Sequence, residues 1–326
     1  MRQSFNILAI GQAGRLQYEA VLLAASLRAS DPDFGGTLFI AEPQPGPLWP
    51  ADPRMSQPAR DLLESLGAKI LPFQNRIFGQ SYPYGNKIEA LAALPDEPFL
   101  FLDSDTLVTG PLSGIAFDFN RPSASMRREG TWPAQELYGP TPTQVWRGLY
   151  DRFGLDFETS LDPAWPVDYW QRYLYFNAGW FFHQSPRAFG ERFLRYAVEV
   201  RDNRPQELVC QELNPWLDQV VLPLVVHSFG GGRPGPELAG LDGEVTCHYR
   251  TLPLLYARES DLVVAVLEAA AALNPVKRLL KDYEPFRKLI YQGKGAQVRA
   301  LFDRADLPRR EQMIRNTIKR EGLWFR

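Results

Sequence analysis

Phe99-Leu100-Phe101-Leu102-Asp103-Ser104-Asp105-Thr106-Leu107-Val108 is an apolar run that ends abruptly in two carboxylates one residue apart. A short continuous apolar run bounded by polar residues reads as an inner strand of a sheet, and open α/β sheets bind their ligands beyond the carboxyl ends of such strands. Asp103 and Asp105 stand at that end. Hard divalent ions take oxygen ligands, commonly one or two carboxylates with substrate phosphates completing the shell, so the pair suits a metal-diphosphate site. The competing reading is a solvated turn whose Asp side chains bond nearby backbone N–H groups. Spacing alone does not choose, because an Asp-x-Asp arises by chance about once in a chain of this length.

Working outward, residues 5–10 read as a strand, followed by a turn holding Gly11 and Gly14 and a helix over 18–28. That turn lacks both the three-glycine dinucleotide pattern and the Gly-Lys-Ser/Thr ending of a P-loop. Residues 37–40 and 69–72 read as strands, and 59–66 and 87–94 as helices. Alternating strands and helices predict the α/β class, with a mainly parallel central sheet flanked by helices. From about 115 to 171 the pattern changes to a Pro- and Trp-rich segment with Trp132, Trp146, Trp165 and Trp170 and short strands such as 124–126, an aromatic insertion beside the site. Its rings suit a flat ligand face, or form local core. Residues 175–182 read as a second buried strand, interrupted by small residues where a ligand can approach the backbone. Helices are predicted over 187–200, 215–224, 261–273 and 309–320, and Gly230-Gly231-Gly232 reads as a mobile loop or turn.

The chain has 326 residues, 45% hydrophobic and 23% charged, the composition of a globular protein with core enough for one or two domains. A net charge of −2 argues against a general nucleic-acid binder. From Lys277 onward there are fourteen Lys or Arg against six Asp or Glu, so that stretch is +8 and the remainder −10. Cys210 and Cys247 lack metal-ligand spacing and are expected as free thiols in a reducing cytoplasm. No secretory signal is read at the N-terminus, and the apolar stretch 262–273 falls short of the ~20 residues of a membrane span. The basic tail, with Ile314, Ile318, Leu323, Trp324 and Phe325 among its cations, either docks on an anionic bilayer or packs on the rest of the chain.

Four blocks now stand in order: Asn86-Lys87-Ile88-Glu89-Ala90-Leu91, Asp103-Ser104-Asp105-Thr106, Phe176-Asn177-Ala178-Gly179 and Leu217-Asp218-Gln219. Together they resemble the GT-A glycosyltransferases, closest to glycosyltransferase family 8, the glycogenin and lipopolysaccharide galactosyltransferase group. The run 18–28 also resembles that family's first helix, and the resemblance covers roughly the first 250 residues. It implies a GT-A nucleotide-sugar-binding domain over 1–250 and a basic, helical C-terminal extension over 251–326.

By the same resemblance Asp103 and Asp105 hold Mn²⁺ or Mg²⁺, with His248 completing the metal site. Lys87, Asp103, Ser104, Asp105, Asn177 and Gly179 border the donor, and Asp218 and Gln219 lie at the reacting carbon. Each has a plainer alternative: Lys87 a solvated lysine, Asn177 and Gly179 a strand bend, Asp218 and Gln219 a helix start, His248 a core histidine. A lysine opening a helix is disfavoured by the dipole unless something anionic lies near, which favours a site. The family pattern continues after its histidine with a Gly and a Lys where this chain has Thr251 and Leu254, so Arg250 or Arg233 is expected to supply the diphosphate charge. His183 and His227 are expected to be structural.

The implied activity is metal-dependent transfer of a hexose from a nucleotide-diphosphate sugar, a UDP-sugar, to a hydroxyl of a glycan or glycolipid, with retention of configuration. An inverting transferase, a sugar nucleotidyltransferase and a catalytically dead carbohydrate-binding protein on the same fold are the alternatives. The expected location is the cytoplasm, with the tail able to contact the inner face of the membrane.

Overall fold

The computed structural model describes residues 4–128, 130–135 and 138–326. Strand β1 (Asn6–Ile10) leads into α1 (Arg15–Ser30), and β2 (Leu38–Pro43), α2 (Gln57–Ser65), β3 (Lys69–Phe73), α3 (Asn86–Glu89) and β4 (Phe99–Leu102) follow in alternation. Next come β5 (Thr106–Val108), β6 (Ala124–Ser125), α4 (Pro142–Arg152), β7 (Asn177–His183), α5 (Pro186–Asp202), α6 (Leu217–Ser228) and β8 (Thr246–His248). The chain closes with α7 (Leu252–Arg258), α8 (Asp261–Ala272), α9 (Asn274–Leu280), α10 (Glu284–Phe286), α11 (Lys294–Ala300) and α12 (Glu311–Arg320).

The central sheet has the order β3-β2-β1-β4-β7-β6. The pairs β3/β2, β2/β1 and β1/β4 are parallel, while β7 and β6 add on antiparallel. This is the α/β, mainly parallel sheet the alternation predicts. Because side chains alternate along a strand, Ile7, Ala9, Leu100 and Leu102 enter the core on one face and Leu8, Ile10, Phe99 and Phe101 that on the other. Both faces are covered, which is why these strands read as unbroken apolar runs.

Two expectations need correction and a third is narrowed. The helix read over 87–94 is a single α-turn, α3, continued by the 3-10 turn Ala90–Ala93. The insertion contains a true helix, α4, started by the reciprocal Thr141 and Gln144 capping box with Pro142 in its first turn and burying Val145, Trp146, Leu149 and Tyr150. Of its tryptophans, Trp132 and Trp146 are core, packed edge to face at 5.3 Å. Only the outer rings are free for other work. Finally, Gly230 and Gly231 cap α6, their N–H groups donating to His227 O and Val226 O at 2.9 and 3.0 Å, an ordered turn.

The C-terminal helices share the core of α1 and β1. Ile314, Ile318 and Leu323 are buried there, and Trp324 and Phe325 pack against it. Arg315 and Lys319 lie over the Trp324 ring and Lys288 over that of Phe325. The apolar groups that a bilayer anchor would need are therefore spent on packing. Among the described residues no helix is long and apolar enough to cross a membrane.

Helix α3 is too short to hold itself, and Glu89 pins it. Its carboxylate accepts from the N–H groups of Arg76, Ile77 and Phe78 at 2.6, 3.0 and 3.2 Å and from Asn75 Nδ2 at 2.8 Å. Glu89→Ala would leave three backbone donors without an acceptor, so an equilibrium denaturation should show a loss of roughly 3 kcal/mol. A loss below about 0.5 kcal/mol would mean that water replaces the carboxylate at no cost.

Candidate active site

The acids stand in the turn between β4 and β5, and β5 pairs antiparallel with β8 so that Thr106 lies opposite His248. That ladder carries the imidazole to the carboxylates. His248 Nε2 is 3.1 Å from Asp105 Oδ1 and 3.8 Å from Asp103 Oδ2, and one ligand atom from each of the three residues lies within 4.8 Å of the others. Two carboxylates and an imidazole could hold a divalent ion of the Mn²⁺ kind. Burial pushes the Asp105 carboxyl up, but His248, with Arg15 and Lys87 farther out, outweighs it and keeps the group below the usual carboxylate range.

Gly179 makes room for this arrangement. A Cβ there would meet His248 Nδ1 at 2.2 Å and Asn177 Oδ1 at 2.9 Å, while the Gly179 carbonyl accepts from Asp103 N–H at 2.8 Å and its N–H donates to Asn177 Oδ1 at 2.8 Å. Gly179→Ala should thus displace the imidazole and weaken Mn²⁺ binding by roughly tenfold or more, read by calorimetric titration. Unchanged affinity would show that His248 is no ligand.

Lys87 lies behind the acids, buried, where the sequence reading required an anion and the fold supplies two. Its ammonium is 2.8 Å from Asp103 Oδ1 and 3.4 Å from Asp218 Oδ2, and it donates to Ala178 O at 3.0 Å. Burial works against its charge, yet Asp103 and Asp218 together raise its pKa. Asp218 opens α6, accepts from Tyr82 Oη at 2.8 Å, and is raised by burial, which Lys87 and Tyr82 only partly offset. Gln219 Oε1 accepts from Tyr175 Oη at 3.1 Å.

These groups open on one cavity of about 370 Å³. Lys87, Asp103, Asp105, Asn177, Asp218, Gln219 and His248 line it. Ser104 and Gly179 do not: Ser104 is buried in the turn and Gly179 sits behind the histidine. Of the two arginines expected to carry the diphosphate charge, Arg250 lines the cavity and Arg233 does not. Arg233 instead donates to Ser160 O and Arg172 O at 2.8 and 3.0 Å. His183 and His227 also lie elsewhere, bonded near Ser185 and Thr159.

Sequence reasoning missed the rest of the cationic wall: Arg15, Arg128, Arg315 and Arg326. Arg15 is 3.0 Å from Glu19 and 3.9 Å from Asp105. Glu19 is buried and its pKa is raised well up, by burial first and Asp105 second. A basic residue directly after Gly14, just past the end of β1, was the available signal for Arg15. Arg315 and Arg326 belong to the tail, whose charge is turned in part toward this cleft.

Residues 7–230 match the family model described as the Rhodobacterales glycosyltransferase domain. No curated protein matches the chain by sequence. Among solved structures, the galactosyltransferase LgtC in complex with donor and acceptor sugar analogs is 14% identical with a TM-score of 0.49, over 83% of this chain and 96% of that one. The glycosyltransferase GlyE of Streptococcus pneumoniae TIGR4 is 14% identical with a TM-score of 0.44, over 88% of this chain and 65% of that one. The bifunctional WbbM is 11% identical with a TM-score of 0.47, over 86% and 51%. With its family match spanning β1 through α6 and every one of the four sequence blocks, the chain belongs to the Rhodobacterales glycosyltransferase domain family and is a glycosyltransferase.

Proposed function

We propose that this enzyme moves a hexose from a nucleotide-diphosphate sugar, a UDP-sugar, to a hydroxyl of a glycan or glycolipid, with retention of configuration and dependence on Mn²⁺ or Mg²⁺. The observation that carries the reading is the joining, in one cavity, of the Asp103, Asp105 and His248 cluster with an arginine wall. A diphosphate needs both. A bound divalent ion, held by those three residues, stabilises the negative charge that grows on the leaving diphosphate.

The chain's own residues do the remainder. Arg15 and Arg250 face the phosphate oxygens, Asn177 borders the sugar, and Lys87 holds Asp103 and Asp218 in place. Both Asp218 oxygens are already engaged, one by Tyr82 and one by Lys87. That favours a front-face route in which Asp218 stabilises positive charge on the sugar over one in which it attacks. A chain with only two cysteines suits a reducing cytoplasm. Contact with an anionic membrane would rest on the tail's charge alone.

Melting the protein with UDP tests the reading. With Mn²⁺ present and UDP at 100 times its dissociation constant, the native state should gain about 2.7 kcal/mol, and with EDTA it should gain nothing. Equal gains in both would remove the metal from the site.

A further inference from the structure

Beside the active-site cavity lies a second one, of about 530 Å³, and the two share Arg128, Gly130, Thr131 and Arg315. Its charge is one-sided. Arg128, Arg309, Arg310 and Arg315 line it against the single carboxylate of Glu311. That carboxylate is already held by Arg258, Arg250 and Arg315 at 2.8, 3.6 and 2.5 Å.

Arg128 stands at the junction, with its guanidinium over the rings of Trp170 and Tyr175 at 4.7 and 5.6 Å. Its Nη1 is buried with no hydrogen-bond partner among the described residues. Such a donor is costly to leave unmet. Burial lowers the Arg128 pKa to about 10, in keeping with a cation awaiting an anion. Trp170 is 37% exposed, and Tyr169, 39% exposed, stacks on Trp165 at 5.0 Å, so the cavity opens beside an aromatic shelf of the kind that takes sugar faces. Tyr175 links Arg128 to Gln219, so the second cavity leads to the residues proposed to flank the reacting carbon.

We infer that this second cavity is the acceptor subsite and that the acceptor is an anionic saccharide, whose phosphate or carboxylate is engaged by Arg128, Arg309 and Arg310 while a sugar ring stacks on Trp170. Guanidinium forks match both anions in geometry. The word acceptor rests on the first cavity being the donor site; recognition of a charged sugar stands on the second cavity alone. The donor diphosphate does not fill it, because the metal-ligand cluster and Arg250 belong to the first cavity and Arg309 and Arg310 do not line that one.

Isothermal titration of the full chain with cellobiose, cellobiose 6′-phosphate and cellobiouronate tests this. At least one charged disaccharide should bind tenfold or more tightly than cellobiose, and the tighter of the two identifies the anion. The exposed pair Arg309→Ala/Arg310→Ala should bring the preference to within twofold, and Trp170→Ala should weaken all three sugars while sparing the preference. Equal binding of the three sugars, an unchanged preference in the double variant, or inorganic phosphate binding as tightly as the phosphorylated disaccharide would overturn the inference. UDP with Mn²⁺ is titrated in parallel. Failure of UDP to bind the parent chain would remove the donor reading and leave the charged-sugar result standing, whereas loss of UDP binding in the double variant would assign the second cavity to the donor and sink the inference.

Discussion

Replacing Lys87 with methionine is expected to lower the unfolding free energy by roughly 3 kcal/mol, the lower end of the range for breaking a buried ion pair, and to slow transfer by less than the loss of Asp105 does. Methionine fills nearly the same volume and keeps contact with the Phe101 ring, over which the ammonium lies at 5.2 Å. What it removes is charge. Asp218 is 2% exposed and would keep Tyr82 as its remaining side-chain partner, while the Ala178 carbonyl would lose its donor. The Asp103 side chain is 26% exposed, so water screens that half of the network and holds the loss to the lower end of the range.

A cycle isolates the cause. Adding Asp218→Asn to Lys87→Met removes the stranded carboxylate, and the pair should be more stable than Lys87→Met alone by at least about 1 kcal/mol. Urea denaturation with an unchanged slope reports both numbers. A single-variant loss under about 1 kcal/mol would reduce Lys87 to a replaceable spacer.

The strands β1, β2 and β4 were legible because parallel strands buried on both faces are written as apolar runs, while the half-exposed edge strand β3 was legible from its place in the alternation of strands and helices, and the carboxylates beyond Leu102 marked the ligand end of the sheet. The position of Lys87 was legible from a conflict, a cation where a helix start prefers an anion. His248 was reached only through family resemblance, since β5 and β8 are three residues each and too short to carry a period. For the tail that holds Arg315 and Arg326, docking on a bilayer and packing on the domain stayed open, because charge along the chain says nothing of which surface a packed helix turns it to. Their neighbours Ile314 and Ile318 fix that choice by entering the core, a fact of tertiary packing. Gly179 was read as bordering the sugar, but the space it leaves is filled by an imidazole from a strand far along the chain.

Asp105→Asn is the change with the largest expected effect on activity. The amide keeps the size of the carboxylate and can still meet His248 Nε2, now 3.1 Å from Oδ1, so packing is preserved. It cannot offer negative charge. Asp105 is the acid nearest His248, and its carboxyl is held below the usual range, so at neutral pH the native protein presents a full anion there. On the proposed metal-dependent reading, a diphosphate and its cation would lose a ligand that stabilises charge in the transition state, and donor hydrolysis should fall roughly 10³-fold, about 4 kcal/mol. Stability should fall slightly or not at all. A carboxyl held below its usual range is one whose charge the fold favours on balance, through His248 first and Arg15 next, so losing it costs something at neutral pH, and relief of buried Glu19, which Asp105 helps to push up, offsets part of that cost. In EDTA the variant should therefore melt within a few degrees of the parent, while the Mn²⁺-dependent gain with UDP disappears. A variant that melts far lower in EDTA yet keeps that gain would make Asp105 a structural residue and leave the cation to other ligands.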